Sequence, residues 1–249
     1  MLRTHLSFVV FLSLAAAARA QVLFSDTFSG ASINTSNWTT STPFSDSSIT
    51  VGSGIASLAN GAGLLSKSTF SEPFEVEFSF AFTGTSHDSF RIVTRADAFN
   101  PVGYGVVNGV AASFRIQEDT GNLAGNIALE NNGAVLATST VPLALNTWYT
   151  ARLRDDGLGL ALYWATDTTP LLTAAVASTY GNHIATFNRE GAGNNSQISA
   201  GSIASIDYLT ITAIPEPGTS ALLVGALSGL GAMIVRQKLR RGTNKEIGA

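Results

Sequence analysis

Phe74-Glu75-Val76-Glu77-Phe78-Ser79-Phe80-Ala81-Phe82 is the stretch on which the reading of this chain turns. Every second residue is large and apolar, and the residues between are charged or small. Successive side chains of a strand point to opposite faces, whereas a helix would scatter this pattern around its axis. One face therefore carries four phenylalanines and Val76 into a core. The other presents Glu75, Glu77, Ser79 and Ala81 to water or to a groove. Shorter runs of the same kind are predicted as strands at 23–28, 48–51, 55–58, 63–67, 89–95, 105–107, 113–117, 126–130, 134–138, 148–154, 159–164, 184–187 and 206–212. Many short strands at even spacing predict an all-β sandwich or barrel. Asn131-Asn132-Gly133 and Asp155-Asp156-Gly157 supply hairpin turns, because Asn, Asp and Gly accept positive φ. No segment before Pro215 sustains a helical period, although 171–178 suits either state.

Composition bounds what such a domain can do. Between Gln21 and Pro215 the chain has seven Lys and Arg against fifteen Asp and Glu, a net charge of −8. That surface excludes nucleic acid, which selects for basic patches, and it disfavours anionic polysaccharide unless divalent cations bridge. Cysteine is absent, which removes disulfides, thiol catalysis and thiolate metal sites. A domain of this size holds a core without cross-links.

The two ends read as export devices. Arg3 and His5 precede an apolar run over 6–18, and Ala18-Arg19-Ala20 places small residues around a cleavage point before Gln21. Residues 1–20 are thus predicted to be a secretory signal peptide. At the other end Ile214-Pro215-Glu216-Pro217-Gly218 leads into an uncharged run over 220–235, then Arg236, Lys238, Arg240 and Arg241. As a helix that run is about 24 Å long, short of a bilayer core of about 30 Å. A transmembrane helix is expected over about 218–235, and the basic cluster holds the C-terminal tail, 242–249, in the cytoplasm. Four cations at its end argue against a buried helix of a soluble domain.

The ending resembles the PEP-CTERM sorting signal of Gram-negative bacteria that make exopolysaccharide. The matching parts, within 214–241, are Pro215-Glu216-Pro217, the Gly-rich apolar segment and the basic cluster. The resemblance implies an exosortase-type membrane protease as partner and cleavage near Pro-Glu-Pro. It also implies a transient membrane anchor, with final delivery to the cell surface or matrix.

The part between, 21–213, resembles concanavalin A-like lectin/glucanase domains. Leu23-Phe24-Ser25-Asp26-Thr27-Phe28-Ser29-Gly30, running to Asn37-Trp38, is similar to their first strand. Asn146-Thr147-Trp148-Tyr149-Thr150-Ala151-Arg152-Leu153 with Leu160-Ala161-Leu162-Tyr163 is similar to their central hairpin. Ile203-Ala204-Ser205-Ile206-Asp207-Tyr208-Leu209-Thr210-Ile211 is similar to the last strand, which pairs with the first. The resemblance implies a jelly-roll β-sandwich. It also implies a structural calcium ion between first and last strands, for which Asp26 and Asp207 are the candidates, since hard oxygen ligands suit Ca²⁺. Trp38, Trp148 and Trp164 are candidates for stacking on sugars. In Trp148-Tyr149 and Tyr163-Trp164, however, one ring must face each side of its sheet.

The hydrolases of this superfamily carry E-x-D-x-x-E on one strand, and no such pattern occurs here. Glu75 and Glu77 share a face but lack a third acid. His87 and His183 are far apart in the chain, and no phosphate-binding Gly-rich loop is present. The expectation is a non-catalytic, exported surface protein that binds extracellular polysaccharide. The alternatives are a structural surface or biofilm component without a ligand, and a glycoside hydrolase.

Overall fold

The computed structural model describes residues 20–84, 89–100, 105–116, 126–188 and 201–215. Among them fifteen strands form: β1 (Val22–Asp26), β2 (Trp38–Ser41), β3 (Ser48–Gly52), β4 (Ile55–Ala59), β5 (Gly63–Ser66), β6 (Phe74–Phe82), β7 (Ser89–Ala96), β8 (Val110–Arg115), β9 (Ile127–Asn131), β10 (Ala134–Ser139), β11 (Trp148–Asp155), β12 (Gly159–Trp164), β13 (Leu172–Ala175), β14 (His183–Asn188) and β15 (Ile203–Ala213). They make two antiparallel sheets. One has eight strands in the order β13-β12-β11-β6-β15-β4-β3, with β1 also paired to β15; the other has seven, β10-β9-β8-β7-β14-β5-β2.

The alternation in β6 does what the sequence predicts. Phe74, Val76, Phe78, Phe80 and Phe82 are buried between the sheets, and Phe90 and Phe114 of the facing sheet meet them. Phe80 stacks on Phe90 with centroids 5.1 Å apart and lies 4.7 Å from Phe114. Aromatic pairs at these separations add to what area burial alone supplies. The predicted hairpins also form: β11 pairs with β12 around Asp156-Gly157, and β9 with β10 around Asn132-Gly133, and Asn132, Gly133 and Gly157 have positive φ.

β1 pairs with β15, Val22 lying opposite Thr212 and Asp26 opposite Leu209. The strands that open and close the domain are therefore neighbours, and the compact unit they bound is Val22–Ala213.

Two predicted strands are corrected. Residues 105–107 make only an isolated bridge, Phe99 to Val106. They belong to a loop whose Phe99 and Val106 cover Leu65, Val93 and Phe187 on the outer face of the seven-stranded sheet. The strand expected at 113–117 is β8, set three residues earlier. Two strands were not anticipated as such, β2 and β13, the latter inside the ambiguous stretch 171–178.

The outer face of the seven-stranded sheet is closed as well as the inner one. Every residue of β7 and β8 is buried. At the end of β7, Arg95 reaches across to the eight-stranded sheet. Its guanidinium bonds Asp155 through Nη2 at 2.5 Å and Nε at 3.0 Å, and Nη1 bonds the carbonyl of Ser178 at 2.7 Å. Thr94 Oγ1 donates to the same carboxylate at 2.6 Å. Burial works against the charge on Arg95, but the hydrogen bond and charge of Asp155, with Glu72 beyond, outweigh it and raise its pKa.

The expected processing residues Ala18, Glu216, Pro217, Arg236, Lys238, Arg240 and Arg241 lie outside the described residues. Ala20 and Pro215 are exposed at the two margins.

Candidate functional site

The outer face of the eight-stranded sheet is the open one, and register decides what stands on it. Trp148 of β11 is opposite Ala81 of β6, Ala81 is opposite Ser205 of β15, Ser205 is opposite Ser57 of β4, and Ser57 is opposite Thr50 of β3. Five strands thus contribute one row of side chains, perpendicular to the strands. A groove of about 620 Å³ runs along it, with Thr83, Asn146 and Ile55 at its margins.

The row has two kinds of chemistry. Its hydroxyls form a chain: Ser57 and Ser205 are 3.0 Å apart, and Thr83 and Ser205 are 3.2 Å apart. At its end stands Trp148, 43% exposed. Among the described residues its indole neither stacks on another ring nor bonds through Nε1. A large aromatic left idle beside ordered hydroxyls is an arrangement that packing does not require.

Next along the strands comes a charged row. Arg152 Nη1 is 3.3 Å from Glu75, Nη2 donates to the carbonyl of Asp167 at 2.5 Å, and the guanidinium lies 4.9 Å from the Tyr163 ring centroid. Tyr208 donates to Glu77 at 2.9 Å. Burial first, then that bond, push the Tyr208 phenol above its ordinary value of 10.0, with Thr150 acting in the opposite sense. Glu75 and Glu77 share the face, as the sequence requires, but each is engaged by a different partner. A second hollow of about 480 Å³ lies at the β13 edge, beside Arg154, Tyr163 and Thr173. Among the described residues its one ring, that of Tyr163, is already taken by Arg152.

The three candidate tryptophans have separate fates. Trp38 is 1% exposed, packs edge-on to Phe24 and donates through Nε1 to Asp26 at 2.7 Å. No face of it is left for a sugar, which corrects the expectation. Trp164 turns inward against Phe80, Phe114 and Tyr149, so it too serves the core. Trp148 is the one that stands free.

The surroundings of Asp26, which pairs opposite Leu209 two residues from Asp207, do not fit a metal site. Asp26 accepts from the Phe28 amide at 2.8 Å through Oδ1, and from Trp38 and Asn37 through Oδ2, the latter at 3.4 Å. A carboxylate already ringed by N–H donors does not fit a hard cation that wants six to eight oxygens. Asp207 is exposed at a bulge in β15. Among the described residues no three His, Cys, Asp or Glu side chains converge.

A further cluster was not anticipated. On the closed outer face of the seven-stranded sheet, Glu130 is 1% exposed. It pairs with Arg91, accepts from Ser113 at 2.7 Å and lies 3.8 Å from Arg115. Only the pairing of β7, β8 and β9 reveals it, since the four residues span forty positions of ordinary-looking sequence.

No protein-family model matches the chain, and no curated protein is similar to it in sequence. Solved structures do match in fold. A glycosyl hydrolase family 16 protein from Mycobacterium smegmatis is 14% identical, with a TM-score of 0.55 over 77% of this chain and 100% of that one. A β-1,3-glucanase from Mycobacterium marinum is 15% identical, with a TM-score of 0.52 over 77% and 98%. A β-glucanase from Bacillus licheniformis is 14% identical, with a TM-score of 0.51 over 76% and 96%. These likenesses overturn the expectation of a non-catalytic protein: the E-x-D-x-x-E strand motif is absent here, yet proteins named as glucanases share the fold. At these identities the likeness is one of architecture: the domain is an all-β sandwich of the concanavalin A-like jelly-roll type.

Proposed function

We propose that this chain is an exported, surface-directed protein whose sandwich binds extracellular polysaccharide along the outer face of its eight-stranded sheet. The observation that carries the reading is the idle, half-exposed indole of Trp148 at the end of an ordered hydroxyl row. Sugars offer apolar C–H faces and amphoteric hydroxyls, and a pocket with an aromatic platform and a few placed polar groups suits them. The fold shared with proteins named as glucanases is in keeping with a polysaccharide ligand. Export rests on the apolar segment before Ala18-Arg19-Ala20. Surface sorting rests on Pro215-Glu216-Pro217 and the segments that follow, with an exosortase-type protease cutting near that motif. The mature protein is then shorter than the chain by its first twenty and its last thirty or so residues, which the intact mass of the surface form tests.

Binding is tested on arrays of neutral and acidic polysaccharides with the purified domain and its Trp148→Ala variant. Retention of at least one polysaccharide, weakened about tenfold or more by the substitution, is expected; a tenfold loss is about 1.4 kcal/mol. Failure of the folded protein to bind any of them refutes the reading and leaves a purely structural surface component. The same samples are assayed for reducing sugar. Release that disappears in Glu75→Gln or Glu77→Gln identifies a hydrolase and its acid.

A further inference from the structure

Charge and hydrogen-bonding chemistry narrow what the groove can hold. Among the described residues no side chain that lines it carries a charge. The polar side chains facing it are the hydroxyls of Thr50, Ser53, Ser57, Thr83 and Ser205 and the amide of Asn146. Three of these hydroxyls are joined by two hydrogen bonds, and either partner of each can be the donor. Each hydroxyl has one proton and two lone pairs, so the chain can reverse direction and meet either a donor or an acceptor. That ambivalence matches the hydroxyls of a neutral sugar. A carboxylate or sulfate needs donors only, and it prefers fixed, cationic ones.

The surroundings point the same way. The cation nearest in register among the described residues is Arg152, four positions along β11 from Trp148, and it is held by Glu75, the Asp167 carbonyl and Tyr163. Glu77, on the same face of β6, and Asp207, at the bulge of β15, add negative charge beside the groove. An anionic ligand would meet repulsion without an available counter-charge.

Geometry gives an extent. From Trp148 on β11 to Thr50 on β3 the row crosses four inter-strand spacings, about 19 Å in all. A ligand that uses the whole row is a linear segment of several sugar units lying across the strands. It stacks on the indole at one end and meets hydroxyls along the rest.

We propose that this groove takes an uncharged, extended glycan segment, laid perpendicular to the strands from Trp148 toward Thr50. The inference rests on the polysaccharide-binding reading and specifies its ligand. The test is calorimetric titration of the domain with neutral gluco- and manno-oligosaccharides, from disaccharide to hexasaccharide, and with oligo-uronates of matched length, at low and high salt. Affinity for at least one neutral series is expected to climb with length and to ignore salt. Trp148→Ala should cost about tenfold or more, and Thr50→Lys, at the exposed far end, should admit the uronates that the wild type refuses. Preferential, salt-sensitive binding of oligo-uronates overturns the inference while polysaccharide binding stands. Neutral binding that is independent of length, or indifferent to Trp148→Ala, also overturns it. Absence of any binding by folded protein removes the reading beneath it.

Discussion

Asp26 shows how one side chain can be read for the wrong chemistry. An acidic residue near the meeting of first and last strands invites a cation, yet its oxygens accept from the Phe28 amide, the Trp38 indole and Asn37. Its work is to satisfy donors that the loop after β1 would otherwise bury. Asp26→Ala is therefore expected to destabilise the domain by about 1–3 kcal/mol, the cost of orphaned buried N–H groups. Urea denaturation should give the same loss with and without a chelator. Tyr208 offers a test by pH. Its phenol is held protonated by burial and by Glu77, so the folded pKa lies above the unfolded one. The stability this contributes is complete below about pH 10 and is lost as pH rises through the folded value. Melting temperature should thus fall more steeply above about pH 10 in the wild type than in Tyr208→Phe. Parallel curves would show that the phenol does not couple to folding.

Among the strands, β6 and β12 have the limits that their sequences predict, because each has one buried face and one open one. Alternation is visible only under that condition. β8 begins three residues before the expected strand since both of its faces are covered, and Val110-Ala111-Ala112 then shows no period to follow. The stretch 105–107 has β-branched residues for another reason: Val106 lids an apolar cluster and Gly105 takes φ 83° over the Phe187 ring. β2 is a four-residue edge strand of mostly small polar residues, which leaves composition nothing to distinguish it from loop. The same blindness hid the groove. Trp148 could be named from its type, but Ser57, Thr83 and Ser205 are three hydroxyls in a chain full of them, and only strand register brings them together. β6 also allows its two faces to be compared directly. Phe80→Ala should cost about 3–5 kcal/mol through the cavity it leaves. Glu75→Gln, on the other face, should cost under about 1 kcal/mol, because its pair with Arg152 is partly exposed. Equal losses would mean that the face assignment is wrong.

At the scale of the whole sandwich, two sheets packed through aromatic side chains resist sliding only as far as those rings interlock. The pair Arg95–Asp155 adds a directional tie at one end. Asp155 is wholly buried and also accepts from Thr94 and the Gly157 amide. Removing it strands a buried guanidinium, and Asp155→Ala is expected to lose about 3–5 kcal/mol in denaturant titration. The double variant Arg95→Met, Asp155→Leu should recover part of that loss, since an apolar pair leaves no uncompensated charge. A double variant worse than the single one would contradict this account.

The pairing of β1 with β15 has a consequence for orientation. Val22 and Thr212 lie side by side, so the chain enters and leaves the domain at the same end of the sheet. Ser205, the midpoint of the groove, is seven residues back along β15, about 20 Å away at the spacing of extended chain. The groove therefore lies toward the end of the sheet opposite to the one at which the chain enters and leaves the domain.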